Sequence, residues 1–290
     1  MNTAFKLSTG YSIPLIGLGT YQIRGAEIFP AIDFALQAGY RHIDTASGYR
    51  NEKEIGDALK SLLPKYNLNR EQIFITSKLV PRVNQTKQQV VEIVKQSLSD
   101  LQTNYIDLYL IHWPGVSGIP VESAENSKYR RNTFEALSSC QKEGLCRSIG
   151  VSNYTVKHLK ELLEQCTDGI RPTVNQVEWH PHFHQPELLE FCRKENIFLQ
   201  AYSSLGTSNT TELKDDPQIK AIAQKLNKSP SQILLRWAFQ QNIGILPKAR
   251  SKSHIDENID LNFTIPDSDM DLLNNMKVSY KYAWNPESVL

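Results

Sequence analysis

The chain has 290 residues, and its 32 lysines and arginines almost balance its 31 aspartates and glutamates, leaving a formal net charge of +1. This balance predicts no basic face and argues against nucleic acid as the main partner. The four cysteines include no Cys-x-x-Cys pair, which favours reduced thiols in a cytoplasmic protein. No signal-peptide pattern is present, and no run approaches the ~18 apolar residues of a membrane span, so we expect no membrane partner.

Short apolar runs alternate with segments of helical period along most of the chain. A small hairpin is predicted at residues 5–13. Strands are then predicted at residues 15–18, 42–43, 73–77, 106–111, 148–151, 173–177, 198–201 and 244–246. Helices are predicted at residues 28–38, 51–63, 86–101, 155–165, 186–195 and 217–226. Gly39 ends the first helix, Pro64 follows the second, and Ser229 begins an extra helix that runs to about residue 241.

Eight strand–helix units without a linker or a change of composition between them predict a parallel barrel. The expected fold is an α/β protein of the (β/α)8 or TIM-barrel class, with the N-terminal hairpin as a cap and with extra helices. Because α/β barrels of this length often form single units, residues 1–290 are expected to be one domain. Residues 115–130 and 203–216 are too irregular for this pattern, and long loops on a barrel rim are typical of lids or specificity elements.

Four polar residues stand where predicted strands end: Asp44, Tyr49, Lys78 and His112. The carboxyl ends of barrel strands share one rim, so we expect these side chains to converge there. A carboxylate, a phenol, an ammonium group and an imidazole in one place can transfer a proton to a carbonyl oxygen. Bringing a tyrosine pKa near 7 takes roughly 4 kcal/mol, which one charge about 4 Å away can supply at an effective dielectric of ~20. Lys78 is the expected charge, Asp44 keeps it protonated, and His112 donates a hydrogen bond to the carbonyl.

The hydride that completes such a reduction must come from a cofactor, because no side chain supplies one. The glycines at positions 17 and 19 suggest a dinucleotide fingerprint, but its third glycine is replaced by Gln22 and no suitable acidic residue follows. We therefore expect a nicotinamide to bind across the mouth of the barrel. Residues suited to it stand on later strand ends: Ser152, Asn153, Gln176 and Tyr202, with Lys248 and Arg250 for a phosphate.

Five segments carry a resemblance that covers nearly the whole chain: Gly-Tyr-Arg-His-Ile-Asp-Thr-Ala at 39–46, Tyr-Arg-Asn-Glu at 49–52, Ile-His-Trp-Pro at 111–114, Ile-Gly-Val-Ser-Asn-Tyr at 149–154 and Leu-Pro-Lys at 246–248. These segments resemble the signatures of the aldo-keto reductase family. The resemblance implies a (β/α)8 barrel and a monomer that reduces aldehydes and ketones with NADPH. It makes Tyr49 the acid, Lys78 and Asp44 its modulators, and His112 the residue that orients the substrate.

The same resemblance implies which residues surround the cofactor and the substrate. Ser152, Asn153 and Gln176 hold the carboxamide, and Tyr202 stacks on the nicotinamide ring. The other cofactor contacts are Ser203 and Leu205 at the pyrophosphate, Glu257 and Asn258 at the adenine, and Thr20, Lys248, Arg250, Ser251 and His254. The pocket candidates are the aromatic residues Tyr21, Trp113, Phe134, Tyr282 and Trp284, the last two with packing against the barrel wall as an equal alternative. A small-molecule carbonyl compound, an aldehyde before a bulky steroid, is the expected substrate.

Some positions depart from the family's well-studied mammalian members. Ala249 stands where a serine often helps to bind the 2′-phosphate, and His254 stands where an arginine usually stacks on the adenine. Because Lys248 remains and a nearby arginine can compensate, NADPH is favoured and NADH is expected to be accepted as well. Histidine changes charge near pH ~6.5, so the preference is expected to depend on pH. Gln22 and Asn209 replace a charged pair that closes a clasp over the cofactor in some relatives, which implies faster cofactor release.

Two other functions stay open. His180 and His182 alternate as on one face of a strand, and such a pair at a barrel rim can bind a metal in hydrolases. Pro181 interrupts that strand and no further ligand pattern completes a divalent site, so this alternative is the weaker one and no metal is expected. The other alternative is a catalytically silent barrel that still binds the cofactor, although all four catalytic residue types are present.

Overall fold

Within residues 3–166, 169–207 and 211–290, which the computed structural model describes, the chain forms ten strands and eleven α-helices. The strands are β1 (Ala4–Lys6), β2 (Ser12–Pro14), β3 (Leu18–Gly19), β4 (His42–Asp44), β5 (Phe74–Leu79), β6 (Ile106–Ile111), β7 (Cys146–Ser152), β8 (Val174–Glu178), β9 (Phe198–Tyr202) and β10 (Gly244–Ile245). The helices are α1 (Ile28–Ala38), α2 (Glu52–Lys65), α3 (Lys87–Asp100), α4 (Glu125–Lys142), α5 (Val156–Gln165), α6 (Pro186–Lys194), α7 (Glu212–Asp215), α8 (Pro217–Leu226), α9 (Pro230–Gln240), α10 (Lys252–Ile259) and α11 (Asp267–Asn274). None of these helices is long and apolar enough to cross a membrane.

The strands β3 to β10 form one sheet in chain order, and every neighbouring pair is parallel. The sheet closes on itself beside β3. Ile245 donates its N–H to the oxygen of Leu15 (2.7 Å), and Gly17 donates to the oxygen of Ile245 (2.9 Å). Gly19 continues the pairing by donating to the oxygen of Pro247 (3.1 Å). The alternation of strands and helices around this closed sheet confirms the predicted (β/α)8 barrel.

The N-terminal hairpin covers the amino end of the barrel. Its strands β1 and β2 pair antiparallel, which confirms the prediction. Phe5 stacks on Phe198 at the start of β9, with ring centroids 4.5 Å apart. Thr9 Oγ1 lies 2.6 Å from Ser148 Oγ in β7. Because the hairpin blocks this end, the opposite rim, where the strands end, is left to the loops that carry polar residues.

Local sequence signals begin and end several of the helices. The side chains of Thr86, Thr155 and Ser229 each cap a helix in a reciprocal capping box, which satisfies donors that the first helical turn leaves unpaired. Gly39 ends α1 in the left-handed conformation (φ 99°), which glycine adopts without a steric penalty. These local interactions explain why the predicted starts of these helices agree with the structure to within one residue.

Several details differ from the sequence-based predictions, and the helices α4, α10 and α11 are not among the predicted ones. Pro64 lies inside the last turn of α2 rather than beyond it, because a missing N–H this close to the end costs only one helical hydrogen bond. Residues 125–130, predicted as loop, form the first turns of α4, whose buried face carries polar side chains that hide its helical pattern. Residues 212–215 form the short helix α7 inside the second predicted loop, of which residues 208–210 lie outside the described residues.

Candidate active site at the carboxyl rim

A buried ion pair joins Lys78 and Asp44. The sequence predicts Lys78 just after its strand, but Lys78 lies inside β5. Asp44 ends the neighbouring strand β4. Lys78 Nζ lies 2.6 Å from Asp44 Oδ1 and also donates to the main-chain oxygen of Thr45 (2.9 Å). Gln176 on β8 donates to Asp44 Oδ2 (2.8 Å). Because β8 and β4 are not neighbours in the sheet, this contact places the pair in the barrel interior, where the two side chains are 0% and 5% exposed.

Tyr49 and His112 lie beside this pair. Tyr49 ends the short 3-10 turn Ser47–Tyr49, which Ser47 ties to β5 by donating its hydroxyl to Lys78 O (2.9 Å). The centroid of the Tyr49 ring lies 5.1 Å from Lys78 Nζ. It lies 5.6 Å from the centroid of the His112 ring, with the two planes at 72°. The structure therefore brings together all four residues that the sequence places at one rim.

The pKa of Tyr49 moves in the direction opposite to the expected one. Burial raises the pKa of the Tyr49 phenol well above its ordinary value, and the negative charge of Asp44 raises it further. The Lys78 ammonium group donates hydrogen bonds to Asp44 and to the main-chain oxygen of Thr45. The Asp44 carboxylate therefore offsets most of the positive charge of Lys78. The expectation that Lys78 brings the phenol pKa near 7 is therefore wrong for this geometry. A protonated phenol is nevertheless the form that a general acid requires.

Burial also shifts the pKa values of the other three groups. Burial raises the pKa of Asp44 and lowers that of Lys78, and each charge opposes the shift of the other. Burial, followed by the positive charge of Lys78, lowers the pKa of His112 to about 3. His112 is thus neutral at neutral pH, with one ring N–H to donate. Asn153 Nδ2 donates a hydrogen bond to the main-chain oxygen of His112 (2.9 Å) and so fixes the backbone of His112.

Asn51 is a supporting residue that the sequence reasoning misses, although it stands in the Tyr-Arg-Asn-Glu segment. It is fully buried and donates to the main-chain oxygens of Thr20 (3.0 Å) and Ile23 (2.9 Å). It also accepts a hydrogen bond from Thr45 Oγ1 (2.6 Å). Thr20, predicted as a cofactor contact, is buried and donates its hydroxyl to Asp44 O (2.8 Å). These bonds fix the loop after β3 to the backbone of the ion pair.

A second hydrogen-bonded group lies at the ends of β7, β8 and β9. Ser152 Oγ donates to Gln176 O (2.7 Å) and accepts from Asn153 Nδ2 (3.1 Å). Tyr202 Oη donates to Asn153 Oδ1 (2.6 Å). The bond from Gln176 to Asp44 joins this group to the ion pair. The structure therefore brings together the four residues predicted to face the nicotinamide and sets them next to the Lys78–Asp44 pair.

The residues predicted for the phosphates follow β9 and β10. Ser203 and Leu205 are half-buried on either side of Ser204, whose buried hydroxyl has no hydrogen-bond partner among the described residues. Ser251 begins α10 by accepting a hydrogen bond from His254 N (3.4 Å), and the His254 side chain is exposed. An unpartnered buried hydroxyl and the N–H groups that begin a helix are both suited to phosphate oxygens. The residues present thus fit a phosphate-bearing cofactor.

Arg250 has protein partners that the sequence does not reveal. Its Nη2 donates to the main-chain oxygen of Gln22 (2.5 Å), and its Nε lies 3.2 Å from Glu27 Oε2. Both charged side chains remain about half exposed. Asn209, predicted as part of a clasp with Gln22, lies outside the described residues. The other predicted contacts in this region are the half-buried Lys248 and Glu257 and the buried Asn258.

The predicted pocket aromatics divide into two sets. The Tyr21 ring lies 5.1 Å from the Tyr49 ring. Trp113, which follows His112 in the chain, meets Trp284 edge-on at 6.0 Å. Phe134, by contrast, is 3% exposed on α4 and belongs to the hydrophobic core. That Phe134 lines the pocket stays a prediction.

The histidines considered as metal ligands have other partners. His180 Nε2 lies 3.0 Å from Glu178 Oε1. His182 bonds Tyr282 Oη through Nδ1 (3.0 Å) and Asp216 Oδ2 through Nε2 (3.1 Å). Across the part of the chain that the structure describes, no group of three or more His, Cys, Asp or Glu residues could hold a metal ion. The metal-hydrolase alternative therefore has no ligand set in these residues.

A closed (β/α)8 barrel with a phenol, an imidazole and a buried Lys–Asp pair at its carboxyl rim has the groups that can transfer a proton to a carbonyl oxygen. Residues 15–277 match the family model described as Aldo/keto reductase family, and the chain belongs to that family. The resemblance drawn from the sequence is thereby confirmed.

Relatives and solved structures cover almost the whole chain. Aldo-keto reductase family 1 member A1-A of Danio rerio is 37% identical over 97% of this chain and 92% of its own length. Aldose reductase of Encephalitozoon cuniculi is 39% identical over 97% and 95%. The structure of an aldo-keto reductase enzyme from a Medee basin deep-sea metagenome library is 36% identical, with a TM-score of 0.88 over 98% of each chain. The aldose reductase from Schistosoma japonicum is 34% identical, with a TM-score of 0.86 over 97% of this chain and 94% of that one.

Proposed function

We propose that this chain reduces aldehydes and ketones to alcohols with NADPH and that Tyr49 is the general acid. The observation that carries the proposal is the buried cluster of Tyr49, His112 and the Lys78–Asp44 pair. In this cluster the acid is protonated, the neighbouring imidazole is neutral, and a charged pair lies beside both. Membership of the aldo-keto reductase family supports the reaction class.

Each residue of the cluster has a separate task in this proposal. A nicotinamide held by the residues at the ends of β7 to β9 would supply the hydride that the carbonyl carbon requires. Tyr49 gives its proton to the carbonyl oxygen, so the C=O bond becomes a C–O single bond with new C–H and O–H bonds, and the phenolate then takes a proton from solvent. His112 donates a hydrogen bond that orients the carbonyl oxygen. Lys78 stabilises the phenolate, and Asp44 keeps the buried ammonium group charged.

The cofactor assignment rests on the group at the ends of β7 to β9. We assign the carboxamide to Ser152, Asn153 and Gln176 and the face of the nicotinamide to Tyr202, because these residues already form one network with Asp44. The unpartnered Ser204 hydroxyl and the start of α10 at Ser251 support phosphate contacts further along the groove. The remaining assignments are Thr20, Ser203, Leu205, Lys248, Arg250, His254, Glu257 and Asn258.

NADPH is the favoured cofactor in this proposal, and NADH is accepted as well. Lys248 supplies a cationic side chain for the 2′-phosphate, whereas Ala249 offers no hydroxyl and His254 replaces a permanent charge. Lys248 is half-buried, and burial lowers its pKa, with the charge of Arg250 as a second cause. The selectivity for the phosphorylated cofactor is therefore expected to be moderate.

The reaction is tested by adding benzaldehyde to the protein and NADPH and following the absorbance of NADPH, with and without EDTA. We expect aldehyde-dependent oxidation that EDTA leaves unchanged. NADPH binding without turnover on a panel of aldehydes and ketones would favour the silent barrel. Loss of activity with EDTA would favour the metal-dependent alternative.

The biological setting belongs to the same proposal. We propose a cytoplasmic monomer in which residues 1–290 form one domain and which acts on small carbonyl compounds. The balanced charge supports a partner that is neither nucleic acid nor membrane. Light scattering coupled to gel filtration tests the monomer, and a mass of twice 33.0 kDa would contradict it.

A further inference from the structure

A row of residues crosses four neighbouring strands at one level of the barrel: Ser152 on β7, Gln176 on β8, Gln200 on β9 and Gly244 on β10. In the sheet register, Gln176 pairs with Ser152 on one side and with Gln200 on the other. Gln176 and Gln200 are 2% and 0% exposed, so both amides are removed from solvent. A buried amide is unfavourable unless its polar atoms find partners, so the partners of these two residues are informative.

The Gln176 amide is held from two sides through its nitrogen. Its Nε2 donates to Asp44 Oδ2 (2.8 Å) and to Gln200 Oε1 (2.9 Å). As a carboxylate, Asp44 can only accept hydrogen bonds, so the nitrogen of the Gln176 amide must face it. The second N–H of that nitrogen then needs an acceptor, and Gln200 supplies it. Both donors of the amide are used in this way, and the oxygen Gln176 Oε1 takes part in neither bond.

The main chain of Gln176 is fixed separately from its side chain. Its carbonyl oxygen accepts hydrogen bonds from Ser152 Oγ (2.7 Å) and from the main-chain N–H of Asn153 (3.0 Å). These two bonds set the position of the backbone, whereas Asp44 and Gln200 set the rotation of the amide. The amide oxygen is then left as an acceptor within the group of residues that we assign to the nicotinamide carboxamide.

The Gln200 amide has one bonded atom and one unpartnered atom. Its Nε2 is buried and has no hydrogen-bond partner in the part of the chain that the structure describes. An apolar residue of the same size would bury no such donor, so stability alone does not explain a glutamine here. The hydrogen bond that the structure shows for this side chain goes to the Gln176 amide. The bond to Gln176 is therefore the reason that the structure offers for a polar residue at position 200.

Gly244 leaves room for the Gln200 side chain. A Cβ at position 244 would lie 3.3 Å from Gln200 Cγ, which is tighter than an ordinary van der Waals contact. It would also lie 2.8 Å from Cε1 of Phe198, which precedes Gln200 by two residues on β9. The absence of a side chain at position 244 therefore lets Gln200 pack closely against β10.

We propose that Gln200 is a positioning residue that fixes the Gln176 amide so that its oxygen accepts an N–H of the nicotinamide carboxamide. Without Gln200 the second N–H of Gln176 has no acceptor at this place, and the amide is free to rotate. Gln200 acts only through Gln176 and does not itself touch the cofactor. This inference rests on the proposed function, because that function assigns the carboxamide to Gln176.

Two ligands that differ only at the carboxamide test the inference. They are the oxidised cofactor NADP⁺ and its 3-acetylpyridine analogue, in which a methyl group replaces the carboxamide NH2. Their binding is followed by the tryptophan fluorescence of the protein, so the measurement does not depend on turnover. Only NADP⁺ can donate an N–H to Gln176 Oε1. We expect the wild type to bind NADP⁺ about tenfold more tightly than the analogue, which is the effect of one hydrogen bond.

Gln200→Met removes the acceptor and the unpartnered donor and keeps a side chain of similar size. We expect the preference for NADP⁺ to fall to about twofold, because the Gln176 oxygen is no longer held in one place. The midpoint of urea unfolding is expected to stay at its wild-type value, because one unpaired N–H replaces another. Gln200→Glu keeps an oxygen for the Gln176 N–H and should restore the tenfold preference. Gln200→Leu replaces Gln200→Met if that variant does not fold, and the same fall in preference is expected.

Gln141→Met is the matched control. Gln141 on α4 is half-buried, and its amide donates to Arg147 O (3.3 Å) near the start of β7. Its Oε1, like Gln200 Nε2, is buried without a partner among the residues that the structure describes. Gln141→Met therefore makes the same chemical change at the opposite end of the barrel, and both dissociation constants should stay at their wild-type values.

The outcomes separate this inference from the proposed function. Gln200→Met with the wild-type preference for NADP⁺ overturns the inference, and so does a loss of affinity that is equal for the two ligands. Failure of Gln200→Glu to restore the preference, or a wild type that binds both ligands equally, overturns it as well. A wild-type protein that binds neither ligand contradicts the proposed function and, with it, this inference.

Discussion

Replacing Asp44 and Lys78 singly and together tests whether their ion pair acts as one unit. The perturbation is Asp44→Asn, Lys78→Met and the double variant. The side chains of Lys78 and Asp44 are 0% and 5% exposed, and their charged atoms lie 2.6 Å apart. Two unit charges at that distance attract by about 6 kcal/mol at an effective dielectric of about 20, and the cost of removing both from water offsets most of this gain.

Each single variant leaves one buried charge without its partner, and the free energy of unfolding is expected to fall by about 3–5 kcal/mol. The double variant removes both charges. The amide that replaces the carboxylate still accepts the hydrogen bond from Gln176, and Thr45 O loses one donor. We therefore expect the double variant to lose only about 1–2 kcal/mol, far less than the sum of the single losses.

Urea denaturation at pH 7, followed by circular dichroism, measures these losses. Turnover with an aldehyde is expected to fall strongly in all three variants, because two of them lack the lysine beside Tyr49 and Asp44→Asn lacks the carboxylate that favours its charged form. Additive losses in the free energy of unfolding would refute the reasoning, since they would mean that the two groups do not interact. Retained turnover in Lys78→Met would refute its catalytic part.

The pH dependence of the free energy of unfolding of Asp44→Asn checks the direction of the Lys78 pKa shift. Burial lowers the pKa of Lys78 from 10.5, and the charge of Asp44 opposes this shift. Without the carboxylate the folded-state pKa falls further, so between that pKa and 10.5 the unfolded state binds more protons than the folded one. The free energy of unfolding then rises with pH in this window. Raising the pH from 7 to 9 is therefore expected to stabilise Asp44→Asn more than the wild type.

Three further predictions concern single side chains. Burial alone would raise the pKa of Glu178, but its hydrogen-bond donors lower it from 4.5 to about 2, so its stabilising effect is present above pH 4.5 and is lost as the pH falls towards 2. Glu178→Gln should lose about 2 kcal/mol less than the wild type in denaturation between pH 5.5 and pH 3, and an equal loss would contradict this. Because burial lowers the pKa of His112 to about 3, kcat/KM should show no acid limb near pH 6.5 that disappears in His112→Gln. Glu27→Gln removes the surface partner of Arg250 and should tighten NADPH binding about threefold in fluorescence titration, and an equal gain for NADH would oppose a phosphate contact.

The sequence predicts the barrel well, because local signals decide where its elements lie. Capping boxes at Thr86, Thr155 and Ser229 and the glycine after α1 act within a few residues, and the order of the elements then fixes the rim. The helical start of α4 could not be predicted in this way. Its buried polar face depends on tertiary partners, such as the bond from Arg130 to Pro114 O.

The same division holds at the candidate site. The polar residue types at the strand ends are enough to predict that Asp44, Tyr49, Lys78 and His112 lie together. The hydrogen bonds among the residues predicted to face the nicotinamide agree with their predicted grouping: Ser152, Asn153, Gln176 and Tyr202. The direction of the Tyr49 pKa depends on burial, which composition does not reveal.

Long-range pairs were also beyond the sequence. Arg250 meets Glu27, and Glu178 meets residues 281–283, across more than 100 positions in each case. Phe134 belongs to the hydrophobic core, so an aromatic side chain alone does not separate a pocket residue from a core residue in sequence. That residues 1–290 form one domain stays a prediction.

Comparing Tyr49→Phe with Tyr21→Phe is the most direct test of Tyr49 as the general acid. The two rings lie 5.1 Å apart, and each variant removes one hydroxyl without changing the ring. We expect Tyr49→Phe to lower kcat for benzaldehyde by about 10²–10⁴-fold, with the Kd for NADPH within about twofold of the wild type. Tyr21→Phe should keep kcat within about twofold. A Tyr49→Phe variant with wild-type kcat, or one that loses NADPH binding in parallel with turnover, would contradict the assignment of Tyr49 as the acid.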